Sequence, residues 1–170
     1  YASDDGSGIY LNKGTISMSH SHVDNNETAN DSGALKVIEG STFDASNSFF
    51  NYNKAQSEEG GAIKNFGTVT LEQCTIKGNY AKKQGGGIYN AEDDAVLNVT
   101  DCIITDNKSD SDGGGIYTDD VLNINETSLD NCKIKNNESS KGGGIFIEDT
   151  DNVSIAGTVD VTDNKAPIGT

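Results

Sequence analysis

The sequence predicts an all-β fold, a right-handed parallel β-helix of about six coils with three short strands per coil. Three observations carry this. An apolar residue, two spacers and an Asn recur six times, at Val23…Asn26, Phe50…Asn53, Ile76…Asn79, Ile104…Asn107, Ile134…Asn137 and Val161…Asn164. Between them a small-residue cluster ending in an aliphatic side chain recurs at 6–9, 32–35, 60–63, 85–88, 113–116 and 142–145. The remaining apolar residues alternate in short runs, such as Val69-Thr70-Leu71 and Leu97-Asn98-Val99, with no helical spacing. Cutting after each Asn gives coils 1–26, 27–53, 54–79, 80–107, 108–137 and 138–164, with 165–170 starting a further turn. A fixed period of this length is the signature of a solenoid. The 170 residues therefore read as one domain, and as a segment of a longer array.

Each element of a coil follows from its residues. In the fourth coil Ile88 opens the first strand, Leu97 and Val99 form the second, and Cys102 and Ile104 form the third. The same inward slots are filled by Ile16, Met18, Ser21 and Val23, by Phe43, Ala45, Ser48 and Phe50, and by Val69, Leu71, Cys74 and Ile76. Equivalent residues stack at about 4.8 Å, so six coils make a rod about 30 Å long. No coil buries its inward face without its neighbours. At the corner closing each coil, Asn26, Asn53, Asn79, Asn107, Asn137 and Asn164 are expected to turn inward and bond along the stack as a ladder. The glycines are expected where the chain takes positive φ or approaches its neighbour closely. Cys74, Cys102 and Cys132 fall in one inward slot of consecutive coils and read as a buried stack of small side chains. Their odd number and parallel Cβ directions argue against disulfides, and no CxxC spacing supports a metal.

Composition narrows function. The chain has 20 Gly, one Pro, no Trp and no Arg, and a net charge of −15. That charge repels a phosphate backbone, which argues against nucleic acid. No apolar stretch approaches a membrane span, so no membrane insertion by this segment is expected.

The motifs Gly60-Gly61-Ala62-Ile63 and Phe50-Asn51-Tyr52-Asn53 resemble the paired GGA(I/L/V) and FxxN repeats of chlamydial polymorphic outer-membrane proteins. The run at 74–90 is similar to repeats in adhesin-like surface proteins of bacteria, methanogenic archaea and some protists. Most coils carry Ile or Val where the chlamydial pattern has Phe. The resemblance implies a parallel β-helical passenger or stalk displayed on the cell surface, with an adhesive role. Together with the stacking of coils, the expectation is a non-catalytic extracellular protein, either such a stalk or the shaft of a fibre.

Several residues invite a functional reading. Tyr89, Tyr117 and Phe146 share one outward slot and would form an exposed aromatic strip able to hold a glycan or protein. Further partners are like chains or neighbouring coils end to end. No cofactor is expected, with calcium as the alternative at the acidic turns Asp4-Asp5 and Asp110/Asp112. His20 and His22 are outward surface histidines without a third ligand. The competing enzymatic reading is a polysaccharide lyase or glycosidase using Asp94, Asp119 and Asp120. Seven N-x-S/T sequons occur. Asn98, Asn125 and Asn152 are the accessible candidates for glycosylation, whereas Asn26, Asn107 and Asn137 belong to the ladder.

Overall fold

The computed structural model describes residues 8–91, 94–126, 132–148 and 152–167. Among these, all regular structure is β-strand, and every strand pairing is parallel. Strands from successive coils stack into sheets that run the length of the molecule. The first sheet has six strands, Ile9–Leu11, Leu35–Val37, Ile63–Asn65, Ile88–Asn90, Ile116–Thr118 and Ile145–Ile147. The second also has six, from Gly14–Ser19 to Val153–Ala156. The third has five, from Phe49–Asn51 to Val159–Thr162.

A fourth sheet corrects the expected three strands per coil. Its strands are two residues each, Glu27–Thr28, Lys54–Ala55, Tyr80–Ala81 and Lys108–Ser109, and lie directly after the corner Asn. Two residues are too few to show alternation in sequence. The pattern is nonetheless regular, because Glu27, Lys54, Tyr80 and Lys108 stack in register while Thr28, Ala55, Ala81 and Ser109 are buried.

The register matches the repeat. Ile9, Leu35, Ile63, Ile88, Ile116 and Ile145 pair in turn along the first sheet. Phe50, Ile76, Ile104, Ile134 and Val161 do so along the third. Ile63, Leu71, Ile76, Ile88, Leu97, Ile104, Ile116 and Ile124 have no accessible surface, and Phe43 meets Phe50 edge-on with centroids 6.1 Å apart. Burying each such side chain contributes about 1.5–3 kcal/mol before chain entropy. At the last coil the inward positions Ile147, Ile155 and Val161 are exposed.

Corners are made by left-handed residues. Between the second and third sheets stand His20, Asn47, Gln73 and Asp101, with φ between 47° and 52°. Just before each ladder Asn stand Asn25, Tyr52, Gly78, Asp106, Asn136 and Asp163. Short polar side chains that tolerate this region fill most of these places.

Candidate functional site

The outward slot of the first sheet holds, in register, Tyr10, Lys36, Lys64, Tyr89, Tyr117 and Phe146. Tyr117 stacks on Tyr89 with centroids 5.1 Å apart and on Phe146 at 5.6 Å, and Phe66 meets Tyr89 edge-on. This column is not the exposed strip the sequence suggests. Tyr117 is only 3% exposed, and Tyr89 and Phe146 are half-buried. Two sets of contacts bury Tyr117, the Tyr89 and Phe146 rings on either side and the glycine turn against its base. Gly113 and Gly142, at φ 67° and 58°, fold the chain back over the sheet, so that a Cβ at either would stand 2.7 Å from Cβ of Tyr117 or Phe146. The Tyr117 hydroxyl donates to Glu148. Burial first, then that carboxylate, raises the phenol far above its ordinary value.

The aliphatic half of the same column is a buried ion cluster. Lys64 Nζ lies 2.9 Å from Asp31 Oδ1 and 3.1 Å from Glu59 Oε2, and Lys36 pairs with Asp31 Oδ2. Lys83 reaches Glu58 at 2.6 Å and Glu59 at 3.4 Å. Both buried ammonium groups face aromatic rings, Lys64 over Phe66 at 5.3 Å and Lys36 over Tyr10 at 5.7 Å. Burial alone would raise Glu59, but the Lys64 ammonium, with Glu58 and Lys83, outweighs it and holds the carboxyl below its usual value.

At the opposite corner the side chains of Asn26, Asn53, Asn79, Asn107, Asn137 and Asn164 form one continuous hydrogen-bonded row. Each Oδ1 from Asn53 onward accepts from the backbone N and from the Nδ2 of the Asn one coil earlier, at 2.8–3.1 Å. From Asn53 onward each Nδ2 also donates to a carbonyl of the preceding coil, as Asn107 does to Ile76. A second buried polar row escaped the sequence reading. Asn65 donates to Asn90 at 2.7 Å and Asn90 to Thr118 at 3.1 Å, between the first and second sheets. Its signal was the change from Leu11 and Val37 to Asn65, Asn90 and Thr118 in one slot.

The other candidates separate. Cys74, Cys102 and Cys132 are buried free thiols, and Cys74 N donates to Cys102 Sγ at 3.3 Å. Asp110 Oδ2 accepts both from Lys82 Nζ at 2.7 Å and from the Tyr80 hydroxyl at 2.8 Å, so that oxygen is engaged by a cation and a phenol. Asp112 makes a backbone bridge to Lys141. No group of three or more His, Cys, Asp or Glu suited to a metal occurs among the described residues. Asp4 and Asp5 lie outside them. His22 stacks on Phe49 at 4.5 Å and pairs with Asp24, while His20 is an exposed corner residue. Asp120 uses its carboxylate on the backbone N of Ala95 and Val121, and Asp94 is an exposed left-handed turn residue. Asn98 lies in an outward row, accepting from Asn123 at 2.9 Å; Asn125 is half-buried and Asn152 exposed. Asn107 and Asn137 have no accessible surface.

Beside this outward row the second sheet carries a shallow depression of about 380 Å³, lined by Ser17, Asp44, Ser46, Thr70 and Glu72 among others.

In the central coils a left-handed corner, an apolar pin, a ladder Asn, a doubled-glycine turn and an aliphatic strand follow one another, and that order decides the comparison. Residues 73–91 and 101–119 match the Chlamydia polymorphic membrane protein repeat. The two copies of the repeat are successive turns of the solenoid, each running from corner residue Gln73 or Asp101 through Asn79 or Asn107 to the first-sheet strand. The repeat match thus covers part of two neighbouring coils. No curated protein and no solved structure matches the chain significantly.

Proposed function

We propose that this chain is a non-catalytic, extracellular segment of a cell-surface protein, acting as an adhesin-like stalk or as the shaft of an extracellular fibre. The observation that carries the reading is the conjunction of the surface-family repeat with an unbroken stack in which ladder, core and turns all serve coil-to-coil contact. Such a rod projects or spaces whatever it carries. Its partners are like chains or coils stacked end to end, and a glycan or protein held on the polar outer face of the second sheet. That face replaces the aromatic column as the binding surface, since Tyr117 is covered. Asn98 and Asn125 stand on the same face and Asn152 just before it, so any glycan added there would restrict access.

Protease treatment of intact cells of the source organism, followed by detection of this chain, tests the placement. Loss of the chain from intact cells is expected. Full protection in intact cells with cleavage in lysates would overturn it. Electron microscopy of the native material then separates the two forms, since end-to-end assemblies mean a shaft and single rods mean a stalk.

A further inference from the structure

Asp31, Glu59 and Lys64 are more than a salt bridge in a wet surface. Their side chains are only 9%, 13% and 11% exposed. Lys64 Nζ lies 2.9 Å from Asp31 Oδ1 and 3.1 Å from Glu59 Oε2, with the Phe66 ring 5.3 Å away. The second oxygen of Asp31 is occupied by the Lys36 ammonium. An amine confined beside a carboxyl group gains a proximity advantage for attack on its carbon. A neighbouring carboxylate can take a proton from the amine and return it to a leaving group. A fixed cation on the far oxygen stabilises negative charge that develops there. Exclusion of water favours condensation over its reversal.

We infer that Lys64 and Asp31 condense into an intramolecular amide cross-link between the second and third coils. Glu59 relays one proton from the Lys64 ammonium to Asp31 Oδ1, leaving a neutral amine beside a neutral carboxylic acid. The freed Nζ lone pair attacks Asp31 Cγ, forming the N–C bond, and the displaced electron pair rests on Oδ2 beside Lys36. Collapse breaks the Cγ–Oδ1 bond. Oδ1 leaves as water, carrying the proton Glu59 relayed and one from the nitrogen, and the remaining N–H belongs to the amide. An ammonium and a carboxylate thus become an amide and water, with no change of oxidation state. The bond joins the turn that opens the second coil to a first-sheet strand of the third, so those coils cannot be pulled apart without breaking covalent chain.

Intact-mass measurement of the folded, purified chain under denaturing conditions tests this. The wild-type chain is expected to be lighter than its sequence by one water, and digestion should yield a branched peptide linking Asp31 to Lys64. Lys64→Arg and Asp31→Ala should restore the full mass, and Glu59→Gln should slow the loss at least tenfold. Asp31→Asn should converge on the wild-type cross-linked mass by releasing ammonia instead. Far-ultraviolet circular dichroism confirms that each variant retains its β-structure. A folded wild-type chain of unreduced mass overturns the inference, whatever the variants do. So does a water loss that maps elsewhere, such as to Lys36 or to a cyclised Asp112-Gly113.

Discussion

A ladder Asn differs from an ordinary turn Asn in that all its hydrogen-bonding capacity is used inside the protein. Asn107 accepts from Asn79 N and Nδ2, and donates to Asn137 Oδ1 and to the Ile76 carbonyl. Asn107→Ala leaves the Asn79 backbone N–H and side-chain amide without their acceptor where water does not reach. At about 1–3 kcal/mol per stranded buried group, we expect a loss on the order of 3 kcal/mol or more. The half-buried Asn26→Ala should cost clearly less. Urea unfolding midpoints compare the two, and equal losses would mean the ladder carries no special weight. Tyr117 offers a spectroscopic counterpart. Its phenol is raised in the folded state, so the stability it contributes is complete below the ordinary tyrosine value of about 10 and is lost as pH rises beyond it. In an alkaline absorbance titration one phenol should therefore ionise only together with unfolding, and Tyr117→Phe should remove that late component. Survival of the late component in that variant would assign it to another tyrosine.

At the scale of the element, the doubled glycine has two separate causes. The first glycine of each turn, Gly60, Gly85, Gly113 or Gly142, has positive φ. The second does not; it is where one turn lies against the next. A Cβ on Gly114 would stand 2.4 Å from the Gly143 carbonyl oxygen and 2.6 Å from that of Glu138. Gly114→Ala must therefore pry two coils apart, costing about 3 kcal/mol or more. Gly40→Ala meets nothing within 4 Å and carries only the left-handed penalty, about 1–2 kcal/mol. Thermal unfolding of both variants checks this order, and a larger loss at Gly40 would refute the packing argument. This distinction explains what could be read from sequence. The coil length and inward slots were legible because Ile76, Ile104 and Ile134 repeat with a spacing that only stacking explains. The fourth sheet was not, since a two-residue strand has no period. Nor was the cover on Tyr117, because an outward strand position says nothing about a turn folding over it. The ion cluster joins residues 31, 36, 59 and 64 through that same fold-back, and the sequence shows them only as scattered charges.

For the whole molecule the governing imbalance is 27 acidic residues against 12 lysines along a rod of about 30 Å. Lysines bridge coils across the surface, at Lys54–Glu27, Lys82–Asp110 and Lys108–Glu138. Exposed pairs of this kind contribute little to stability. The excess of carboxylates repels over the whole rod when the screening length is about 30 Å, at 0.01 M salt, but only over neighbouring coils when it is about 8 Å, at 0.15 M. Repulsion among the unpaired acids involves more charges than the bridges do and reaches further, so salt relieves more than it weakens. The melting temperature at neutral pH should therefore rise with sodium chloride through this range. Lys82→Met, which leaves Asp110 without its cation, should be destabilising mainly at low salt. Acid gives the complementary check. Asp110 and Glu138 are held below their ordinary values, chiefly by the Lys82 and Lys108 hydrogen bonds. Their contribution is intact above the usual carboxylate range and disappears as pH falls through the lowered values. A melting temperature that fell with salt at neutral pH would show that the surface bridges outweigh the rod's self-repulsion. The acidity would then have to be explained by something other than solubility of an exposed stalk.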